Sequence, residues 1–150
     1  MHTLTKNFII INILIFSAVF MAFGIEKNVD SERINNLEKK AQLIISSQIN
    51  AFQNFDINKA YSFASPFIQS KFTSADIFGS MVKSAYPMIW GPKEFKFLEF
   101  TLFNESLIQR VLFIDKNERI FMFDYEIKNY GQDSWLINGV YQVKKSLSGA

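Results

Sequence analysis

The sequence predicts an α+β fold, with N-terminal helices packed on an antiparallel sheet of about four strands. Three observations lead there. Residues 93–144 hold consecutive runs of alternating apolar and polar side chains, separated by turn residues. Residues 31–86 carry their apolar side chains at helical spacing instead. Ahead of both lies an apolar leader, FIIINILIFSAVFMAF, from Phe8 to Phe23.

The leader follows Lys6, and the small-x-small triplet Ala22-Phe23-Gly24 at its end has the form of a signal-peptidase site. Glu26, Lys27, Asp30, Glu32 and Arg33 then shift the chain to polar. The run has no polar face to show to water, which argues against a buried core helix. Its 16 residues fall short of the ~20 that span a bilayer comfortably. Residues 1–24 are therefore expected to be a signal peptide, or an N-terminal membrane anchor touching the membrane through residues 8–25 if uncleaved. Either role implies export, to the periplasm or cell envelope, or to the inner membrane if the anchor stays. Residues 31–145 form the single working domain.

Composition removes several function classes. The chain has no Cys, so disulfides, thiol catalysis and thiolate zinc sites are excluded. Its one His is His2, inside the leader. The working domain thus lacks the commonest general base and the commonest metal ligand. Net charge is +2, and Lys39-Lys40 and Lys144-Lys145 are the only basic doublets. No basic stripe interleaves with aromatics, so no nucleic-acid partner is expected. No cofactor is expected either.

The first helix is expected from Ser31 to about Phe55. Ile34, Leu37, Ala41, Ile44, Ile45, Gln48, Phe52 and Phe55 make its apolar stripe. Asp56 reads as the N-cap of a second helix, Ile57 to Ala64. Ser65 caps a short turn begun by Pro66, where a first helical turn tolerates proline. Ser74 caps a helix from Ala75 to Tyr86, with Ile77, Phe78, Met81, Val82 and Ala85 expected inside. Pro87 stops it, and Met88 to Pro92 reads as an apolar loop.

The strand half begins with Lys93 to Phe103, whose alternation slips near Leu98 and suggests a bulge. Asn104 to Ser106 turns the chain. Leu107 to Asp115 is a mostly apolar strand interrupted by Gln109 and Arg110. Asp115 to Glu118 has hairpin length. In Arg119 to Lys128, Phe121, Phe123, Tyr125 and Ile127 share one face, and Asp124, Glu126 and Lys128 the other. After a turn at residues 129–134, alternation puts Trp135, Ile137, Gly139, Tyr141 and Val143 on one face.

Several of these residues carry a family resemblance. They are Gln48-x-x-Ala51-Phe52, Asp56, Ala60-Tyr61-x-Phe63-Ala64-Ser65-Pro66, Ile68-Gln69-x-Lys71-Phe72, Phe78-x-x-Met81-Val82, Ala85-Tyr86-Pro87 and Ser134-Trp135-x-Ile137-x-Gly139. Together they resemble the DUF4864 family, a group of bacterial proteins of unknown function, from about Lys40 to Lys144. More loosely, the order of helices then sheet, ending in Trp-x-Ile, is similar to the NTF2-like (SnoaL-like) superfamily. That resemblance implies a strongly curved sheet wrapped around the first helix, leaving a conical cavity. Catalytic members of that superfamily use Asp, His or Tyr inside the cone, and a shared cone does not transfer a reaction.

Aromatic residues are 16% of the chain. Most such rings fill cores, but a cavity with a few polar tips is the usual small-ligand site. The cavity candidates are Gln48, Phe52, Tyr61, Phe72, Tyr86, Trp90, Tyr125 and Trp135, with the phenol hydroxyls and the Trp90 indole as polar tips. No residue is assigned as catalytic or metal-ligating. Two readings follow. The first is a non-catalytic protein that binds an apolar small molecule in the cone, or a protein partner through the sheet; homodimerisation through the sheet's outer face, with Leu107, Leu112 and Ile114 as interface residues, is a separate possibility. The second is a carboxylate–tyrosine hydrolase, isomerase or dehydratase, with Asp56 or Asp124 as base and Tyr61 or Tyr125 as acid. It requires a carboxylate facing the cavity beside a Tyr.

Overall fold

A computed structural model describes residues 30–143. The expected leader and the polar tail lie outside the described residues. Among the described residues, no helix is long and apolar enough to cross a membrane. The chain divides into two compact units, Met1–Leu37 and Glu38–Ala150. In the first, described residues 30–37 are helical and mostly exposed. The second holds all that follows.

Residues 30–53 are helical (α1). From residue 38 on, α1 buries Ala41, Ile45, Gln48, Ile49, Ala51 and Phe52. This stripe sits one position off the predicted one in places. Ile49 is inside, whereas Phe55 is 71% exposed, because the helix ends before it. There the Asp56 N–H donates to the Ala51 carbonyl and the Phe55 N–H to that of Phe52, with Phe55 at φ +59°. These paired bonds close a helix end around a left-handed residue, a place usually given to glycine.

Four short helices follow: α2 (Ile57–Ser62), α3 (Pro66–Gln69), α4 (Ala75–Ala85) and α5 (Pro87–Trp90). The first three caps are as the sequence predicts. Asp56 accepts from the Lys59 N–H, Ser65 from that of Ile68 and Ser74 from that of Ile77. Residues 88–90, expected as loop, are helical instead. Pro87 ends α4 and also supplies the first position of α5, where its missing N–H costs nothing. In α4, Phe78, Gly79 and Val82 are buried, while Ile77 and Ala85 are exposed, contrary to expectation. Gly79 explains the rotation. A Cβ there would come within 2.7 Å of the Ile57 side chain, so α2 packs tightly on that face of α4.

The sheet is a curved meander, β1 (Glu94–Phe103), β2 (Ser106–Ile114), β3 (Ile120–Asn129) and β4 (Trp135–Gln142), antiparallel throughout, in the order β1-β2-β3-β4. Asn104 and Glu105, both at positive φ, make the two-residue link from β1 to β2. The bulge expected near Leu98 falls between Phe97 and Phe100. Gln109, wholly buried, donates through Nε2 to the carbonyls of Leu98 and Glu99 at 3.1 and 3.2 Å. The polar residue that interrupts β2 thus satisfies the backbone that the bulge leaves unpaired.

The core lies between α1 and the inner face of the sheet, where Leu107, Val111, Phe113, Phe123, Tyr125, Ile127 and Ile137 are buried. Fully burying each such side chain contributes about 1.5–3 kcal/mol. Leu107 therefore belongs to the core, opposite Ile127, and cannot serve a sheet-face interface. A second bulge changes β4. Ile127 pairs with Ile137 but Glu126 pairs with Gly139, so Asn138 is the extra residue. Trp135 and Ile137 share the inner face. Gly139 and Tyr141 stand opposite Glu126 and Asp124 on the outer one, not on one face with Trp135 as alternation predicts.

Candidate functional site

The bulged end of β4 forms one wall of a cavity. The loop between α2 and α3 is laced to the strand edge there. The Ile137 N–H donates to the Phe63 carbonyl and the Ser65 N–H to that of Ile137, both at 2.8 Å. Beyond Ile137 that pairing stops, and α3, α4 and α5 stand off from the strand. The space between them has a volume of about 380 Å³, within the ~300–1,000 Å³ of small-molecule sites. Gln48 and Phe52 of α1, Phe67 and Ile68 of α3, Lys71 and Phe72 after it, Phe78, Met81 and Val82 of α4, Tyr86, Ile89, Tyr125 and residues 137–141 line it.

Phe78 organises the aromatic side of this lining. Its ring centroid lies 6.0 Å from Phe52, 5.2 Å from Tyr61 and 5.4 Å from Phe72. Such tilted and edge-on pairs are favoured by the ring quadrupoles. Tyr86 stands edge-on to Phe123, 6.0 Å away. Most polar groups on the wall already have partners. Gln48 Nε2 donates to the Ala60 carbonyl at 3.1 Å. Asn138 Oδ1 accepts from the Ser65 and Tyr130 hydroxyls, and its Nδ2 donates to Glu126.

Tyr125 is different. Its side chain is wholly buried among the lining residues, and its hydroxyl, sealed from solvent, has no hydrogen-bond partner among the described residues. Burial pushes this phenol far above its usual range, so it stays protonated and is a fixed donor.

Of the eight residues expected at the cavity, Gln48, Phe52, Phe72, Tyr86 and Tyr125 line it. Tyr61 does not. Its hydroxyl donates to the Gln69 carbonyl at 3.0 Å, and its ring backs Phe78 from behind. Trp90 packs on Phe52 at 5.3 Å and on Phe55, with Lys83 over its ring, in a shallow surface depression elsewhere. Trp135 donates through Nε1 to Asp133 at 2.7 Å. Lys40, then that indole, holds the Asp133 carboxyl below its usual range. Asn138 and Lys71 escape sequence reasoning. A bulge on β4 and a lone lysine after α3 leave no periodic signal.

The carboxylates expected as bases are engaged elsewhere. Asp56 caps α2. Asp124, on the outer face, receives Arg110 Nε and Nη2 at 2.8 and 2.9 Å. Among the described residues, no Asp or Glu lines the cavity, and no group of three His, Cys, Asp or Glu is placed to hold a metal ion.

These features define a class, an α+β domain with a mostly apolar pocket between its short helices and the end of β4. The chain belongs to the DUF4864 family, a domain of unknown function, which matches residues 35–149. No curated protein and no solved structure matches the chain.

Proposed function

We propose that this protein is a non-catalytic binding protein of the cell envelope. It holds one small, largely apolar molecule in the cavity between α3, α4, α5 and β4. The cavity carries the proposal, about 380 Å³ with a mostly apolar lining, within the range of small-molecule sites. That lining supplies the affinity by burying apolar ligand surface. The proposal includes an NTF2-like cone, supported by the burial of α1 against the curved sheet and by the cavity beside it. It also includes export, supported by the apolar residues 8–25. Mass spectrometry of the membrane and soluble fractions reads cleavage or anchoring from the mature N-terminus.

The test of ligand binding is native mass spectrometry and fluorescence titration with uncharged apolar probes, comparing the wild type with Met81→Trp, whose larger side chain fills the cavity. Saturable binding by the wild type that Met81→Trp abolishes is the expected result. No binding of any apolar probe, with the protein folded, overturns the proposal. The carboxylate–tyrosine alternative draws no support from the cavity, whose tyrosines have no carboxylate among the lining residues.

A further inference from the structure

β4 is the last strand of the sheet, so one of its edges has no strand beside it. The Val143 N–H donates to the Met122 carbonyl of β3. Backbone groups alternate in direction along an antiparallel strand. Tyr141 and Gly139 therefore also face β3, and the N–H and C=O of Val140 and Gln142 point out at the free edge. Ile137, on the other side of the bulge, points outward too, and there Phe63 and Ser65 already bond it in a parallel bridge. No backbone group among the described residues continues that ladder at Val140 or Gln142. The cavity lies at this same place. Consecutive residues 137–141, from both faces of the strand, line it, so β4 meets the cavity edge-on. Natural sheet edges are commonly blocked by charges or proline, and residues 136–142, LINGVYQ, have neither. β1, the other outer strand, carries Glu94, Lys96 and Glu99. Phe67 and Tyr141 line the cavity yet stay 54% and 58% exposed.

We propose that the ligand class is a short extended peptide, which adds to β4 as a further strand. The Val140 N–H donates to a peptide carbonyl, and the Val140 carbonyl accepts from a peptide N–H. Side chains alternate along a strand, so one apolar side chain of the peptide enters the cavity and its neighbours stay in solvent. The backbone bonds give affinity whatever the sequence, and the cavity selects the residue it receives. This rests on the cavity being a ligand site.

The experiment is calorimetric titration of the full chain with the uncharged peptides acetyl-Thr-Leu-Thr-amide and acetyl-Thr-Phe-Thr-amide, and with 2-heptanone, an apolar probe without a peptide backbone. One or both peptides are expected to bind more tightly than 2-heptanone, and Asp at the central position abolishes binding. Methylating the peptide's backbone nitrogens one at a time weakens binding about fivefold where the N–H meets β4, the net value of one hydrogen bond. Hydrogen exchange at the Val140 and Gln142 amides is expected to be fast in the free protein, as at an open edge, and to slow with peptide bound. If 2-heptanone binds and neither peptide binds tighter, the peptide class is overturned and the cavity reading stands. The same holds if no methylation weakens binding, or if those amides already exchange slowly in the free protein. If neither the peptides nor 2-heptanone binds, the cavity reading falls as well.

Discussion

Tyr125 sits in β3 among Phe113, Phe123 and Ile127, on a face that would pack as well with phenylalanine there. Its hydroxyl destabilises the fold, since burial strips the group of water and no atom of the described residues replaces it. Tyr125→Phe is therefore expected to raise stability by about 1 kcal/mol. Urea unfolding checks the sign, and a variant less stable than wild type would contradict this account. Gly139 carries a second prediction. A Cβ there would lie 2.6 Å from the Tyr141 ring, which folds back over it so that its hydroxyl approaches Glu126 at 3.4 Å. Burial, then the Glu126 charge, raises the Tyr141 phenol above its usual range. Gly139→Ala displaces an exposed ring, so stability should change by only about 0.5 kcal/mol. Absorbance titration should then show one tyrosine returning toward its ordinary pKa.

Whole elements were legible in the sequence where their signals are local. Asp56, Ser65 and Ser74 cap helices because a short side-chain oxygen ahead of a helix has one nearby task. The slip at Leu98 marks a real bulge. In β4, by contrast, alternation carried the wrong message past Asn138, because the residues that fix the bulge come from three other places in the chain. Ser65, Tyr130 and Glu126 all bond the Asn138 amide. Likewise Tyr61, Trp90 and Trp135 are aromatic in the sequence exactly as Tyr86 is, and only tertiary packing decides which of them meets the cavity. Two element-scale predictions follow from this network. Ser65→Ala removes both the α3 cap and a hydroxyl on Asn138, so it should cost about 1–2 kcal/mol in urea unfolding. Glu126 gives the other. Burial pushes its carboxyl up, but hydrogen bonds from Asn138, Lys128 and Ser106 outweigh that and leave it lowered from 4.5. The folded chain thus binds this proton less readily than the unfolded one. The resulting stability is present above pH 4.5 and fades as pH falls through the lower folded value. The gap in urea midpoint between wild type and Glu126→Gln should therefore shrink from pH 7 to acid.

For the molecule as a whole, the outer face of the sheet decides the oligomeric expectation. Leu112 and Ile114 are half-buried there, but Arg110 and Asp124 pair across the middle of the face, with Glu99 beside them. A dimer over this face would have to strip water from that ion pair, a cost that often exceeds its attraction. Light scattering on the eluting protein is expected to give the monomer mass, and a dimer that Arg110→Leu leaves unchanged would refute the reasoning. The order of helices before sheet made the layering legible in advance. The position of the hollow was not, because it depends on where the α2–α3 loop stops following β4, and no residue type announces that.

Gln109 has a consequence beyond its own packing. β1 is an outer strand of the sheet, and a long straight outer strand is a template on which other copies of a chain can grow. By drawing the carbonyls of Leu98 and Glu99 inward, Gln109 breaks that template into two short pieces near its centre. A buried amide that looks like a flaw in a hydrophobic strand thus interrupts the edge along which a second strand would have to pair.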